Sequence, residues 1–205
     1  MSEPQGPWIE TVGPAQAHGA LKALYARVAG PGGAVDHILQ AHSLRPHTLE
    51  GHMALYKAVL HHGGNRLPRA LLETLGVYVS VLNGCDYCVA HHRAGLRKLL
   101  RDDGRAEAVC AALARGDLEP FNARERAALG YASKLTRAPQ TVAEDDVAAL
   151  REAGFDDGEV LEVNQVVAYF AYANRTVLGL GGTAAGEALG HSPSDADNAH
   201  NWSHR

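Results

Sequence analysis

Cysteine is scarce in this chain: 205 residues carry only Cys85, Cys88 and Cys110. An odd and small number excludes a disulfide-stapled scaffold, and a chain of this length buries an adequate core without staples. No run of ~18 consecutive apolar residues exists, which excludes a membrane-spanning helix. The leader Met1-Ser2-Glu3-Pro4-Gln5-Gly6-Pro7 lacks a basic segment followed by an apolar one, so no secretory signal is expected and the cytoplasm is the expected compartment. Neither charge sign dominates. Nineteen Lys+Arg against twenty-three Asp+Glu give a formal net charge of −4, which argues against a mainly electrostatic nucleic-acid binder. Period-two alternation is also nearly absent, so few strands are expected.

What is present is helical periodicity, punctuated by glycine and proline. Leu21, Leu24, Tyr25 and Val28 form one stripe of a helix over 17–29, and Gly30-Pro31-Gly32-Gly33 ends it. A short helix over 35–43 follows. Arg45-Pro46 marks a boundary from which Pro46 starts a helix to about Leu60. Pro68 opens another to Leu82, Asn83-Gly84 breaks it, and a helix runs from about Cys85 to Leu100. Arg105–Arg115 is Ala-rich. Asn122 with Glu125, Thr141 with Glu144, and Asp156 with Glu159 each carry the spacing of a capping box. They open helices to about Leu135, Ala153 and Leu178. The expectation is an all-α fold of roughly eight helices in one domain over 1–205, with coil over 1–16, an extended tail over 183–205 and no second core.

Two features single out the stretch from Leu71 to His92. From Ala70 to Leu82 only Glu73 is charged. A helix apolar on all faces is normally buried, and a carboxylate on it must be paired, hydrogen-bonded or protonated. The plainer alternative places Glu73 in a solvated first turn, where it favours the helix dipole. The second feature is helical phase. With Cys85 at 0°, Cys88 falls near about 300°, His92 near about 340° and His91 near about 240° at ~100° per residue. Both cysteines and His92 thus face the core, with His91 at the edge of that stripe. The midpoint of Glu73 and His92 falls at the Asn83-Gly84 break. An antiparallel hairpin there sets Glu73 opposite His92, permitting a carboxylate–imidazole–thiol chain in which His92 takes a proton from Cys88. Cys85, at the helix start, is favoured as thiolate by the dipole. Cys88 is favoured by its closeness to His92, and spacing alone leaves the order open.

A zinc site is the competing reading of Cys85-x-x-Cys88, but no second such pair exists. His92 lies seven residues from Cys85, about 10 Å along one helix, too far for all three to converge on one ion. Structural packing of two small sulfur side chains is the blandest option. Cys110 is expected in the core. His42, His47, His52, His61 and His62 are expected on the surface, and His191, His200 and His204 carry no distinct signal. Tyr169, Phe170 and Tyr172 are expected as core or subunit contacts.

Asn83-Gly84-Cys85-Asp86-Tyr87-Cys88-Val89-Ala90-His91-His92, with Glu73 twelve residues before the first cysteine, resembles the carboxymuconolactone decarboxylase superfamily. It is similar in particular to the AhpD (alkyl hydroperoxidase D) branch and its peroxidase-related proteins. Leu44-Arg45-Pro46 leading into His52-Met53-Ala54-Leu55-Tyr56, and Asn174-Arg175 before Leu178-Gly179-Leu180-Gly181, resemble the same branch. The resemblance covers roughly residues 20–182. It implies an AhpD-like helical fold with a catalytic hairpin, a homo-oligomer (trimer or hexamer), and thiol reduction of a small-molecule peroxide. In that chemistry Cys88 is oxidised to sulfenic acid, and Cys85 is proton donor and resolving thiol through a Cys85–Cys88 disulfide. Glu73 and His92 form the proton relay. No cofactor or metal is implied beyond an external dithiol reductant or redox partner protein. Tyr87 departs from the peroxidase pattern, which often has a histidine there, and this bears on efficiency and reductant. A disulfide reductase or redox-sensing protein using the same pair is the alternative.

Overall fold

The computed structural model describes residues 6–191, and these are all helix, turn and coil. Among the described residues nine α-helices follow in order: α1 Gly19–Val28, α2 His37–Gln40, α3 Pro46–Leu60, α4 Arg69–Leu82, α5 Asp86–Leu100, α6 Asp103–Arg115, α7 Ala123–Arg137, α8 Glu144–Glu152 and α9 Asp157–Leu180. None of them is long and apolar enough to cross a membrane.

Helix α4 lies at the centre. Its residues Leu71 through Ser80 are all buried, Glu73 included, as expected of a helix apolar on every face. It packs against α5, α7 and α9. Leu72, Leu75 and Val79 meet Leu129 and Ala132 of α7 and Val163, Val166 and Phe170 of α9 in the main core. Cys110 belongs to that core. A second, smaller apolar cluster joins α1 to α3 through Leu21, Leu24, Tyr25, Leu49 and Met53. The sequence gives no sign of it, because its members sit on separate amphipathic stripes that only tertiary contact unites. Ile38 and Tyr56 pack against both clusters.

The helix ends follow local chemistry. Asn122–Glu125 and Asp156–Glu159 close reciprocal capping boxes. The Thr141–Glu144 pair does not. Thr141 ends a 3-10 turn and bonds its hydroxyl to the Ala138 carbonyl, while Asp146 Oδ2 accepts from the Ala143 N–H at 2.7 Å. Pro139, two residues before Thr141, starts the tight turn and moves the helix start downstream. The α4–α5 link is a Schellman turn. Gly84 adopts φ 67°, its N–H bonds Val81 O at 3.0 Å, and the Cys85 N–H bonds Ser80 O at 2.9 Å. Cys85 thus closes α4 and is also the N-cap residue of α5.

The chain after α9 is not a free extension over its described part. Gly190 O accepts from Lys98 Nζ at 2.7 Å, and Gly190, at φ 73°, sits so close to α5 that an added Cβ would lie 2.8 Å from Ala94 Cβ. The remaining tail residues, His200 and His204 among them, lie outside the described residues, as does the start of the N-terminal coil.

Candidate active site

The α4–α5 hairpin brings Glu73 and His92 together: Glu73 Oε2 lies 2.8 Å from His92 Nδ1. Both side chains are largely shielded from solvent. The ring of His92 rests edge-on against Phe170 of α9, centroids 4.5 Å apart. Phe170 can come this close because α4 carries Gly76 at the contact, where an added Cβ would lie 2.2 Å from Phe170 Cζ. The carboxylate fixes one imidazole nitrogen, leaving Nε2 without a protein partner among the described residues.

Cys85 and Cys88 are both free thiols, buried, with sulfurs 3.0 Å apart. Asn174 of α9 completes the sulfur pocket. Its amide bonds Ser80 Oγ at 3.1 Å and accepts from Asn83 Nδ2 at 2.8 Å. It also lies against both sulfurs, where it favours their thiolate forms. The two thiols are driven apart. The hydrogen bond from the Cys88 thiol, aided by the Cys88 backbone N–H, holds Cys85 below the ordinary thiol range despite burial. Cys88 is pushed up by that same hydrogen bond, by burial and by the charge on its neighbour. The sulfur–sulfur hydrogen bond thus polarises the pair, with Cys85 the more acidic thiol.

Access runs the other way. A cavity of about 160 Å³ is lined by Cys88, Glu73 and His92, together with Met53, Tyr56 and Tyr169. Cys85 lies behind Cys88, on a separate depression bordered by Val177 and Thr183. Cys88 is thus the sulfur that a small molecule in the cavity can meet.

Several lining residues come from outside the hairpin. His52 is buried on α3, and burial drives its imidazole down to about 3. Its Nδ1 has no partner among the described residues. His42 and His61 are buried as well, so the expectation of surface histidines fails for three of the five. His42 and His61 lie in turns, where periodicity carries no burial signal, whereas His52 lies in the interior of α3. Tyr169 is a cavity wall as well as a core residue, and His191 reaches the same cavity from the segment after α9. Asn174, Tyr169 and His191 are more than 75 positions from Cys88 in the chain, and no local pattern points to them. Among the described residues, no three His, Cys, Asp or Glu side chains form a group that could hold a metal ion.

The model of the Carboxymuconolactone decarboxylase family matches residues 46–134, the segment from α3 into α7 that carries Glu73, Cys85, Cys88 and His92. The structure is similar to an uncharacterised peroxidase-related protein with an alkylhydroperoxidase AhpD core from Ralstonia eutropha JMP134. The TM-score is 0.76 at 26% identity, over 89% of this chain and 93% of that one. It is similar also to a peroxidase-related protein from Silicibacter sp. TM1040, with TM-score 0.74 at 25% identity over 89% and 94%. The debrominase Bmp8 shares the fold at TM-score 0.64 and 17% identity, over 80% and 84%. No curated protein matches the sequence. The segment 46–134 matches that family model, and the all-helical fold as a whole is similar to that of AhpD-like peroxidase-related proteins.

Proposed function

We propose that the protein is a thiol peroxidase in which Cys88 reduces a small-molecule peroxide. The observation that carries this reading is the layered order of the site: cavity, then Cys88, then Cys85 at 3.0 Å, with the Glu73–His92 pair at 2.8 Å on the same cavity wall. A thiol held high needs a base, and a carboxylate-oriented imidazole is one. His92 takes the Cys88 proton, directly or through a water. The Cys88 thiolate attacks the nearer peroxide oxygen, the S–O bond forms as the O–O bond breaks, and the distal oxygen leaves as alkoxide or hydroxide. The sulfur is oxidised to sulfenic acid. Cys85, 3.0 Å away, attacks that sulfur; the S–S bond forms as the S–O bond breaks, the Cys85 thiol proton leaves with the hydroxide as water, and the Cys85–Cys88 disulfide results. An external dithiol then reduces that disulfide by exchange. No cofactor enters this cycle. Self-association into a trimer or hexamer, as the family resemblance implies, would cover exposed apolar residues such as Leu161, Tyr172 and Leu178 of α9.

The test is peroxide turnover with a dithiol reductant for wild type and Cys88→Ser. Turnover that vanishes in the variant is expected; equal rates would sink the mechanism. A wild-type pair that ignores peroxide but exchanges rapidly with lipoamide or a protein disulfide would instead identify a disulfide reductase.

A further inference from the structure

The proposed reaction needs an acid as well as a base. In-line attack on the O–O bond puts the leaving oxygen on the far side of the attacked oxygen from Cys88, inside the cavity. An alkoxide is a poor leaving group unless it receives a proton there. Cys85, the donor that the family resemblance suggests, sits on the opposite side of Cys88 and does not line the cavity. His92 is occupied in taking the thiol proton.

His91 is placed for this task. It lies three residues after Cys88, on a neighbouring position of the same helix face, and it lines the cavity. Its ring is stacked on Tyr87, centroids 4.6 Å apart at 29°. Its Nε2 lies 2.7 Å from Glu187 Oε2. Nδ1 has no protein partner among the described residues. The arrangement repeats that of Glu73 and His92, a buried carboxylate on one ring nitrogen and the other nitrogen open. Glu187 comes from the segment that follows α9, 96 positions away. It is nearly fully buried and also bonded to the backbone N–H of His37, whose Nδ1 lies 3.1 Å from Oε1. Burial alone would raise this carboxyl, but the bonds from His91 and His37 outweigh it and hold Glu187 below its ordinary range.

We propose that His91 is the general acid that protonates the departing alkoxide, and that Glu187 is its positioning residue. The inference rests on the peroxidase reading. The balance is complete: the imidazolium Nδ1 proton passes to the alkoxide to give the alcohol, and His91 recovers a proton from solvent. His92 returns to solvent the proton it took from Cys88. The two neighbouring histidines thus divide the work, each on its own carboxylate, and the tail strap supplies the second one. The histidine that the peroxidase pattern often has at position 87 is replaced by a tyrosine whose ring supports His91.

The test varies the leaving group. Disulfide formation between Cys85 and Cys88 is timed by mass spectrometry for wild type, His91→Gln and Glu187→Gln, with cumene hydroperoxide and with peracetic acid. The first oxidant expels a strongly basic alkoxide; the second expels acetate, which needs no proton. For His91→Gln the expectation is about a hundredfold slower reaction with cumene hydroperoxide and a change within about threefold with peracetic acid. Glu187→Gln, nearly isosteric, should show the same selectivity at smaller size. Equal losses with both oxidants, as a loosened strap would cause, overturn the proposal, and so does no loss with either. Wild type forming no disulfide with either oxidant would refute the peroxidase reading itself, a distinct result.

Discussion

Replacing Gly76 with alanine tests the packing that aims His92. In an exposed helix interior this change stabilises by about 1 kcal/mol. Here the new Cβ would lie 2.2 Å from Phe170 Cζ and 2.3 Å from Cε2. Carbon atoms at ordinary contact are about 3.5 Å apart, so the ring must retreat by roughly 1.3 Å. Phe170 is fully buried, with the edges of His92 and Tyr169 at 4.5 and 5.2 Å between centroids. Overpacking of this kind costs about 2–3 kcal/mol, which leaves a net loss of about 1–2 kcal/mol after the propensity gain. Urea unfolding of wild type and Gly76→Ala measures it. The displaced ring also presses on His92, so oxidation of Cys88 should slow by more than the stability loss explains. Phe170→Leu in the Gly76→Ala background should recover part of both effects, because residues in contact are not additive. A higher unfolding midpoint for Gly76→Ala would refute the reasoning, since helix propensity would then have outweighed the α4–α9 contact.

Other outcomes follow from the same structure. Glu73→Gln keeps the size but removes the charge behind His92, and peroxide oxidation of Cys88 should slow by about a hundredfold in stopped-flow measurements; an unchanged rate would remove Glu73 from the relay. Between pH 6.5 and about 3 the unfolded chain protonates His52 and the folded chain does not. Stability therefore falls as pH drops through that window, by about 2 kcal/mol from pH 7 to pH 5 on this account. His52→Leu should lose that part of the dependence, and urea midpoints showing a pH-independent difference from wild type would contradict it. Asn174→Ala leaves Ser80 and Asn83 short of a partner and should cost about 2 kcal/mol in urea. It should also slow iodoacetamide alkylation of the pair, because the amide no longer favours the thiolates.

The hairpin half of the site was legible from sequence because it is local. One glycine break, two helical phases and a symmetric spacing are enough to set Glu73 against His92. The order of the thiol pKa values was not, because it depends on a sulfur–sulfur hydrogen bond and on the Asn174 amide. Nor were Tyr169, His52 and Glu187, which reach the cavity from α9, α3 and the strap. Periodicity shows that a residue faces inward but not which helix it meets there. His91 illustrates the point. Its phase at the edge of the apolar stripe is correct, yet its significance comes from a glutamate 96 positions later. Gly76 reads as one small residue among many on an apolar helix until Phe170 is seen against it.

The Schellman turn at Asn83-Gly84 also acts as an angular setting between α4 and α5. Cys85 belongs to both helix ends at once, so no slack exists between them. One residue inserted after Gly84 would turn α5 by about 100° while lengthening the chain by only about 1.5 Å of helical rise. The cysteines would stay near their old height but face a different neighbour. The sulfur chemistry of this fold is therefore indexed by rotation, and the variation the link tolerates is substitution at fixed length, whereas the surface loops elsewhere can lengthen freely.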